Sequence, residues 1–244
     1  MKSTTFIATL LCLLVLQTHR SLAQETENPT VQVEMTLMCW DNELELTYPG
    51  HDAKKPILAP MQVRSSAITY EGPASYQLSS LLPPNEDGTT PSVPLAQVTL
   101  PLDSEQVLVI LIPNKSRENA MPYNALVIDD RYEIFPKQSV RFLNFTSQKL
   151  TGQLGPSKFE IEPRGQAIAK PEVTTGPKHL VPFRMVRYVT ENQSWRPVIS
   201  TVFSMPSNIR ILVLLLEDPN EPFQLRFVLL RDLIANDQLE VTDA

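Results

Sequence analysis

The sequence predicts an all-β protein with two separate β cores. Residues 107–112 and 211–216 are runs of apolar residues, each bounded by charged residues or proline. Each run is too short to cross a membrane as a helix, which takes about 20 apolar residues. Short, bounded runs rich in β-branched residues are typical of strands buried on both faces. Turn signals recur about every 8–12 residues, which favours two β-sandwich domains of the immunoglobulin-like or transthyretin-like type.

The first residues have the pattern of a signal peptide. Lys2 precedes an apolar stretch at residues 6–16, and Ser21-Leu22-Ala23 follows as a small-x-small cleavage pattern. The apolar stretch is too short for a membrane anchor. We therefore expect residues 1–23 to be removed. The rest is expected to be exported to the periplasm, the cell envelope or the extracellular space, with no transmembrane segment after cleavage.

Strand-like segments follow the leader. Residues 31–37 alternate, with Val31, Val33 and Met35 on one face and polar residues on the other. Asp41-Asn42 has turn chemistry, so residues 31–37 and 43–48 are predicted to form a hairpin. The further strands expected in this half are residues 57–63, 67–70, 75–79, 96–100 and 107–112.

A polar stretch at residues 114–119 is the predicted boundary between a first domain, residues 24–118, and a second, residues 119–244. Strands of the second domain are expected at residues 123–129, 140–145, 150–154, 159–161, 166–169, 183–189, 195–203, 211–216 and 223–229. Residues 107–130 and 211–232 share one order: a buried run, a polar loop with proline, and a second strand ending at aspartate. Either a hairpin used twice or duplication of a whole domain explains this order.

Charge narrows the class of partner. Cleavage would remove Lys2 and Arg20 from the 21 basic residues, leaving 19 against 27 acidic residues and a net charge of −8. Nucleic acid and anionic lipid both require a basic face, which this chain does not offer. The expected partner is a protein or a polysaccharide.

Cys39 would be the only cysteine of the mature chain, because Cys12 lies in the leader. No intrachain disulfide is then possible. Its neighbours Leu37, Met38 and Trp40 are apolar, so we expect a buried packing residue rather than a reactive thiol.

No combination of residues predicts a catalytic, cofactor-binding or metal site. A copper site would need His51 and His179 to join Cys39 and Met185, and the close spacing of such sites is missing. Zinc-protease, phosphate-loop and serine-hydrolase motifs do not occur. We therefore assign no catalytic residue, no metal and no cofactor.

Several carboxylates remain as candidates for acid–base chemistry. Asp129 and Asp130 beside Arg131 could bind a cation if a turn brought both carboxylates together. They are interpreted as a turn with solvated charge, because adjacent strand residues point to opposite faces. Glu43 and Glu45 share one strand face, as glycosidase carboxylates can, and are interpreted as a solvated polar face.

One segment of the second half is similar to a known group of proteins. It reads Ile128-Asp129-Asp130, Phe135-Pro136, Val140-Arg141-Phe142-Leu143-Asn144-Phe145, Gly152-Gln153-Leu154-Gly155, Phe159-Glu160-Ile161 and Pro163-Arg164-Gly165, with Trp195-Arg196-Pro197 further on. This order resembles uncharacterised, predicted-secreted bacterial proteins; Lys137 and Arg164 stand where glycine is expected. The resemblance implies a β-rich extracytoplasmic module over most of the mature chain and no assigned activity.

Export without a nucleophile, metal or cofactor set favours a non-catalytic protein for binding or for cell-envelope scaffolding. The alternative is a secreted hydrolase that uses carboxylates such as Glu43, Glu45, Asp129 or Asp130. Convergence of two carboxylates in a deep pocket would favour the hydrolase.

The mature protein is expected to begin at Gln24, because cleavage follows Ala23. N-terminal sequencing of the exported protein checks this. A soluble cytoplasmic species that retains Met1 would contradict it.

Overall fold

The computed structural model describes residues 28–52, 54–114, 121–172, 179–189, 193–218 and 224–234. These residues form sixteen strands and no helix, which confirms the all-β prediction. The expected leader and its cleavage site lie outside them. The strands are β1 (Thr30–Cys39), β2 (Leu44–Thr47), β3 (Ile57–Ala59), β4 (Ile68–Pro73), β5 (Ser75–Leu81), β6 (Ser92–Thr99), β7 (Gln106–Pro113), β8 (Tyr123–Asp129), β9 (Val140–Asn144), β10 (Leu150–Leu154), β11 (Ser157–Ile161), β12 (Gln166–Ala169), β13 (Leu180–Val189), β14 (Ser194–Ser204), β15 (Ile209–Glu217) and β16 (Leu225–Leu233).

The strands form four sheets of four, which pack in pairs as two β-sandwiches. In the first sandwich the sheet β4-β1-β7-β8 packs on the sheet β3-β2-β5-β6. In the second, β12-β9-β15-β16 packs on β11-β10-β13-β14. Neighbouring strands are antiparallel except for β1 with β7 and β9 with β15, which are parallel. Two sandwiches agree with the prediction; their immunoglobulin-like or transthyretin-like type stays a prediction.

The second sandwich repeats the strand order of the first. Adding eight to each strand number in β4-β1-β7-β8 gives β12-β9-β15-β16. The same step converts β3-β2-β5-β6 into β11-β10-β13-β14. The repeat therefore covers all eight strands of each sandwich, which favours duplication of a domain over a hairpin used twice.

Two expectations about strand pairing are corrected. β1 and β2 do not form a hairpin: β1 pairs with β4 and β7, and β2 pairs with β3 and β5. The Asp41-Asn42 turn instead carries the chain between facing sheets, so that Leu37 and Leu46 enter one core from opposite sides. β8 pairs with β7, whereas the expected boundary after residue 118 separated them. The division by sheets falls between Asp129 and Val140.

Each sandwich has its own apolar core. In the first, the rings of Tyr70 and Tyr76 stack with centroids 4.4 Å apart, and the Tyr76 hydroxyl donates to Sδ of Met35 at 3.1 Å. In the second, the ring of Phe142 stacks on those of Phe159 and Phe183 at 4.7 and 5.2 Å. Offset aromatic stacking of this kind adds to the free energy of burial.

Gly152 on β10 leaves room for the Phe159 ring in the second core. A Cβ atom at this position would lie 2.3 Å from the Phe159 ring. Glycine is therefore required for that ring to lie across the strand.

A third apolar cluster lies between the two sandwiches. On β7, Val109 and Leu111 face the core of the first sandwich, whereas Leu108 and Ile110 face the third cluster. On β15 the division is the same, with Ile211, Val213 and Leu215 in the second core and Leu212 and Leu214 in the third cluster. Both predicted runs are thus buried on both faces, because each sandwich covers the outer face of the other.

Equivalent residues of the two sandwiches form this third cluster. Cys39 lies opposite Leu111 in the β1–β7 pair, and Asn144 lies opposite Leu215 in the β9–β15 pair, which aligns the two repeats. On this alignment the cluster consists of matched pairs and of Phe135 from the connection between the sandwiches. The pairs are Met38/Leu143, Trp40/Phe145, Leu108/Leu212, Ile110/Leu214, Ile112/Leu216, Leu126/Val228 and Ile128/Leu230. One patch meets its own counterpart, as in a two-fold, isologous interface.

Leu214→Ala is expected to lower the free energy of unfolding by about 2–5 kcal/mol, because it leaves a cavity between the sandwiches. Leu102→Ala makes the same chemical change at a side chain that is 67% exposed, and should cost about 0.5 kcal/mol or less. Denaturant titration of both variants measures the two values. Equal losses would contradict the burial of Leu214.

Candidate functional site

Four charged side chains form a cluster across the interface. Arg64 precedes β4 and Asp130 follows β8 in the first sandwich, whereas Arg210 on β15 and Asp232 on β16 belong to the second. The Asp130 carboxylate accepts hydrogen bonds from Arg64 Nη1 and Nη2 at 2.6 and 3.1 Å, and from Arg210 Nη2 at 2.7 Å. Asp232 accepts from Arg210 Nε at 2.7 Å and lies 3.7 Å from Arg64 Nε. Arginine and aspartate thus alternate around the cluster, and the contacts Asp130–Arg210 and Asp232–Arg64 join the two sandwiches.

This charged cluster is largely shielded from water. The side chains of Arg210 and Asp130 are only 5% and 9% exposed. Removing charges from water is costly, and the cost is offset only where geometry and hydrogen bonding are good. Here each carboxylate meets two guanidinium groups, so the buried charges balance.

Arg210 also fixes the connection between the two sandwiches. Its Nη1 donates to the backbone oxygens of Asp130 and Phe135 at 2.8 and 3.2 Å. Its guanidinium lies 4.9 Å from the ring centroids of both Tyr132 and Phe135, within cation–π distance. The Arg210 side chain therefore fixes residues 130 and 135 at the start of the segment that connects the two sandwiches.

A cleft of about 520 Å³ lies next to this cluster, where β8 of the first sandwich approaches β9 and the turn before β12 of the second. Apolar side chains such as Leu126, Leu143 and Phe145 form much of its walls, and Arg141 and Arg164 supply guanidinium groups. Its lining residues are Leu126, Val127, Ile128, Asp129, Arg141, Leu143, Asn144, Phe145, Arg164, Gly165 and Gln166.

Arg141 is a buried cation whose guanidinium contacts no carboxylate of the described residues. It is 3% exposed. Its Nε and Nη2 donate to Oε1 of Gln166 at 2.9 and 2.6 Å, and its Nη1 donates to the backbone oxygen of Asp129. These bonds use three of the five guanidinium N–H donors. Among the described residues no carboxylate lies within 4.0 Å of this guanidinium. Burial lowers the pKa of Arg141.

The lip of the cleft carries a second arginine in an unusual backbone conformation. Arg164 is exposed and has a φ of +60°, in the left-handed region that favours glycine. Its position in the turn is fixed by the Gly165 N–H, which donates to the oxygen of Glu162 at 2.9 Å. Glycine would adopt this conformation at the least steric cost, and this chain has an arginine there.

The two candidate aspartates behave differently from each other. The Asp129 carboxylate accepts a hydrogen bond from Arg131 Nε at 3.0 Å, and this bond lowers the pKa of the carboxyl group. Asp130 is 6% exposed and is held by Arg64 and Arg210. The interpretation of a turn with solvated charge is therefore wrong for Asp130, because arginines remote in sequence cover it.

The residue types of a copper site are not brought together. Cys39 lies in the first core and Met185 in the second. Nε2 of His51 lies 2.7 Å from the oxygen of Lys55, and His179 is half-buried at the start of β13. Within the described ranges no three His, Cys, Asp or Glu side chains lie close enough together to hold a metal ion.

Cys39 is buried, as expected. Its thiol contacts Oδ1 of Asp41 at 3.4 Å, and burial raises its pKa. Glu43 directly precedes β2 and Glu45 lies on it, in the first sandwich. Both are exposed, and neither lines the cleft.

No protein-family model matches this chain, and no curated protein matches it either. In the part of the chain that the structure describes, no helix has the length and apolar character needed to cross a membrane.

Asp130→Ala should lower the free energy of unfolding by roughly 3–5 kcal/mol, because it removes a carboxylate that Arg64 and the buried Arg210 share. Asp103→Ala is the matched control, since Asp103 is exposed, and it should change stability by about 0.5 kcal/mol or less. Urea unfolding of both variants at neutral pH checks this. A small effect of Asp130→Ala would show that the charged cluster does not hold the sandwiches together.

Proposed function

We propose that this chain is an exported, non-catalytic protein that binds a protein or polysaccharide partner in the cell envelope or outside the cell. The observation that carries the proposal is the cleft between the sandwiches, which combines apolar walls with the buried guanidinium of Arg141. Clefts at domain interfaces are a preferred location for ligand sites. The proposal of export rests on the leader pattern of residues 1–23.

The arrangement of the two sandwiches supports a preformed binding site. The walls of the cleft belong to different sandwiches, and the third apolar cluster and the Arg64–Asp130–Arg210–Asp232 cluster both connect them. A cleft whose walls are held in place binds without an ordering cost, which increases affinity. The same rigidity suits a scaffolding role.

The alternative of a secreted hydrolase has less support. A general acid or base needs a pKa near the working pH. The carboxyl group of Asp129 has a lowered pKa because Arg131 donates to it, and the carboxylate of Asp130 is occupied by two arginines. Glu43 and Glu45 lie on the exposed surface of the first sandwich. None of these four is paired with a second carboxylate in the cleft.

One experiment measures both binding and turnover on the same preparation of cell envelopes. Labelled mature protein is incubated with cell envelopes isolated from the source organism, with and without prior protease treatment. We expect saturable binding that excess unlabelled protein displaces and no release of soluble sugar or peptide fragments. Protease sensitivity of the binding distinguishes a protein partner from a polysaccharide.

Glu43→Gln, Glu45→Gln and Asp129→Asn serve as controls and should leave this binding unchanged. Steady release of soluble fragments that one of these variants abolishes would establish the hydrolase instead. Absence of saturable binding to either preparation would also overturn the proposal.

A further inference from the structure

We infer that the cleft takes an organic carboxylate with an apolar body, and that its carboxylate binds the guanidinium of Arg141 while its body lies against Leu126, Leu143 and Phe145. This inference rests on the proposed binding function and names the class of ligand. A protein partner would supply this chemistry as a free carboxyl terminus. A fatty acid shares it and is the alternative that the test distinguishes.

Among the residues that the structure describes, no anion is in direct contact with the guanidinium of Arg141. A buried charge is stable when it is paired, and the other largely buried guanidinium groups of the interface, those of Arg64 and Arg210, both contact aspartate. Arg141 instead contacts neutral groups: Oε1 of Gln166, the backbone oxygen of Asp129, and the Phe135 ring at 5.9 Å. The carboxylates of Asp130 and Asp129 favour the charge of Arg141 only from beyond 4.0 Å. Asp130 contacts Arg64 and Arg210, and Asp129 contacts Arg131. A ligand carboxylate completes the pairing through the two remaining N–H donors.

The first sandwich shows that the fold does not require arginine at this position. Arg141 lies opposite Leu212 in the β9–β15 pair, and Thr36 lies opposite Leu108 in the β1–β7 pair. Leu108 and Leu212 are equivalent in the third apolar cluster, so Thr36 and Arg141 are equivalent too. The same sheet therefore forms with a short, uncharged side chain. The buried cation is a feature of the cleft and not of the strand.

The walls and the size of the cleft define the rest of the ligand. A volume of about 520 Å³ lies within the range of pockets that hold small organic molecules. Leu126 and Phe145 offer apolar surface, and the exposed Arg164 adds a second cationic side chain at the rim. Two cationic side chains beside apolar walls favour an anion with an apolar body over a sugar or an inorganic ion.

The test compares acids with their neutral amides. The probes are N-acetyl-leucyl-phenylalanine and octanoate, with N-acetyl-leucyl-phenylalaninamide and octanamide as controls of the same shape without the charge. Isothermal titration calorimetry with the mature protein should show that at least one acid binds at least tenfold more tightly than its amide. The dipeptide and octanoate arms distinguish a peptide terminus from a fatty acid.

Arg141→Gln should reduce the affinity for the bound acid by at least tenfold and leave the affinity for the amide unchanged. Arg164→Glu tests the cleft without touching a buried group, so it stays informative if Arg141→Gln does not fold. The Arg164→Glu variant should lower the affinity for the acid about fivefold, because the charge at the rim is reversed. Arg184→Glu makes the same change at an exposed position of β13 outside the cleft, and should have no effect.

Failure of both acids to bind, equal affinity for acid and amide, or unchanged affinity in both Arg141→Gln and Arg164→Glu would overturn the inference. Saturable envelope binding together with any of these results would overturn only the ligand class. Loss of envelope binding as well would overturn the proposed function itself.

Discussion

The structure depends on contact between the outer faces of two β-sheets. A sheet of a sandwich normally buries one face and exposes the other, and its strands then alternate between apolar and polar residues. Here β7 and β15 are apolar on both faces, so each sandwich alone would expose a large apolar patch. Packing the two patches together removes this surface from water, which is the main favourable term in such an association. The hydrophobic effect thus requires the two sandwiches to stay together.

Apolar contact alone does not fix how two sheets are oriented, because it is non-directional. The directional part comes from the alternating cluster of Arg64, Asp130, Arg210 and Asp232, whose hydrogen bonds require one arrangement of the sandwiches. Buried ion pairs are a poor source of net stability, and their best-supported role is to specify geometry. We interpret this cluster as the element that sets the shape of the cleft beside it.

Much of the fold could be predicted from the sequence, since strand periodicity and turn residues are local signals. The runs at residues 107–112 and 211–216 reveal two-sided burial, but a local pattern does not show what covers the second face. The pairing of Asp130 with Arg64 and Arg210 spans 66 and 80 positions, so it depends on tertiary structure alone. One local signal of the site was present, because Arg141 interrupts the apolar residues Val140 and Phe142. A charge inside an otherwise buried strand identifies a position that needs a partner.

The two repeats agree in their cores and differ at the interface, and the differences concentrate where chemistry is possible. Thr36 and Arg141 occupy equivalent positions by their pairing in β1–β7 and β9–β15. Gln106 and Arg210 are equivalent too, because each lies two residues before the matched Leu108 and Leu212. The apolar residues at equivalent positions of the third cluster differ less in chemical type, as in Ile110 and Leu214. A symmetric apolar contact needs matching residues on both sides, whereas a single cleft needs only one side to change. The second sandwich therefore contributes Arg141 and Arg210, the two most buried guanidinium groups of the interface, and the interface carries its cleft on one side of an otherwise two-fold contact.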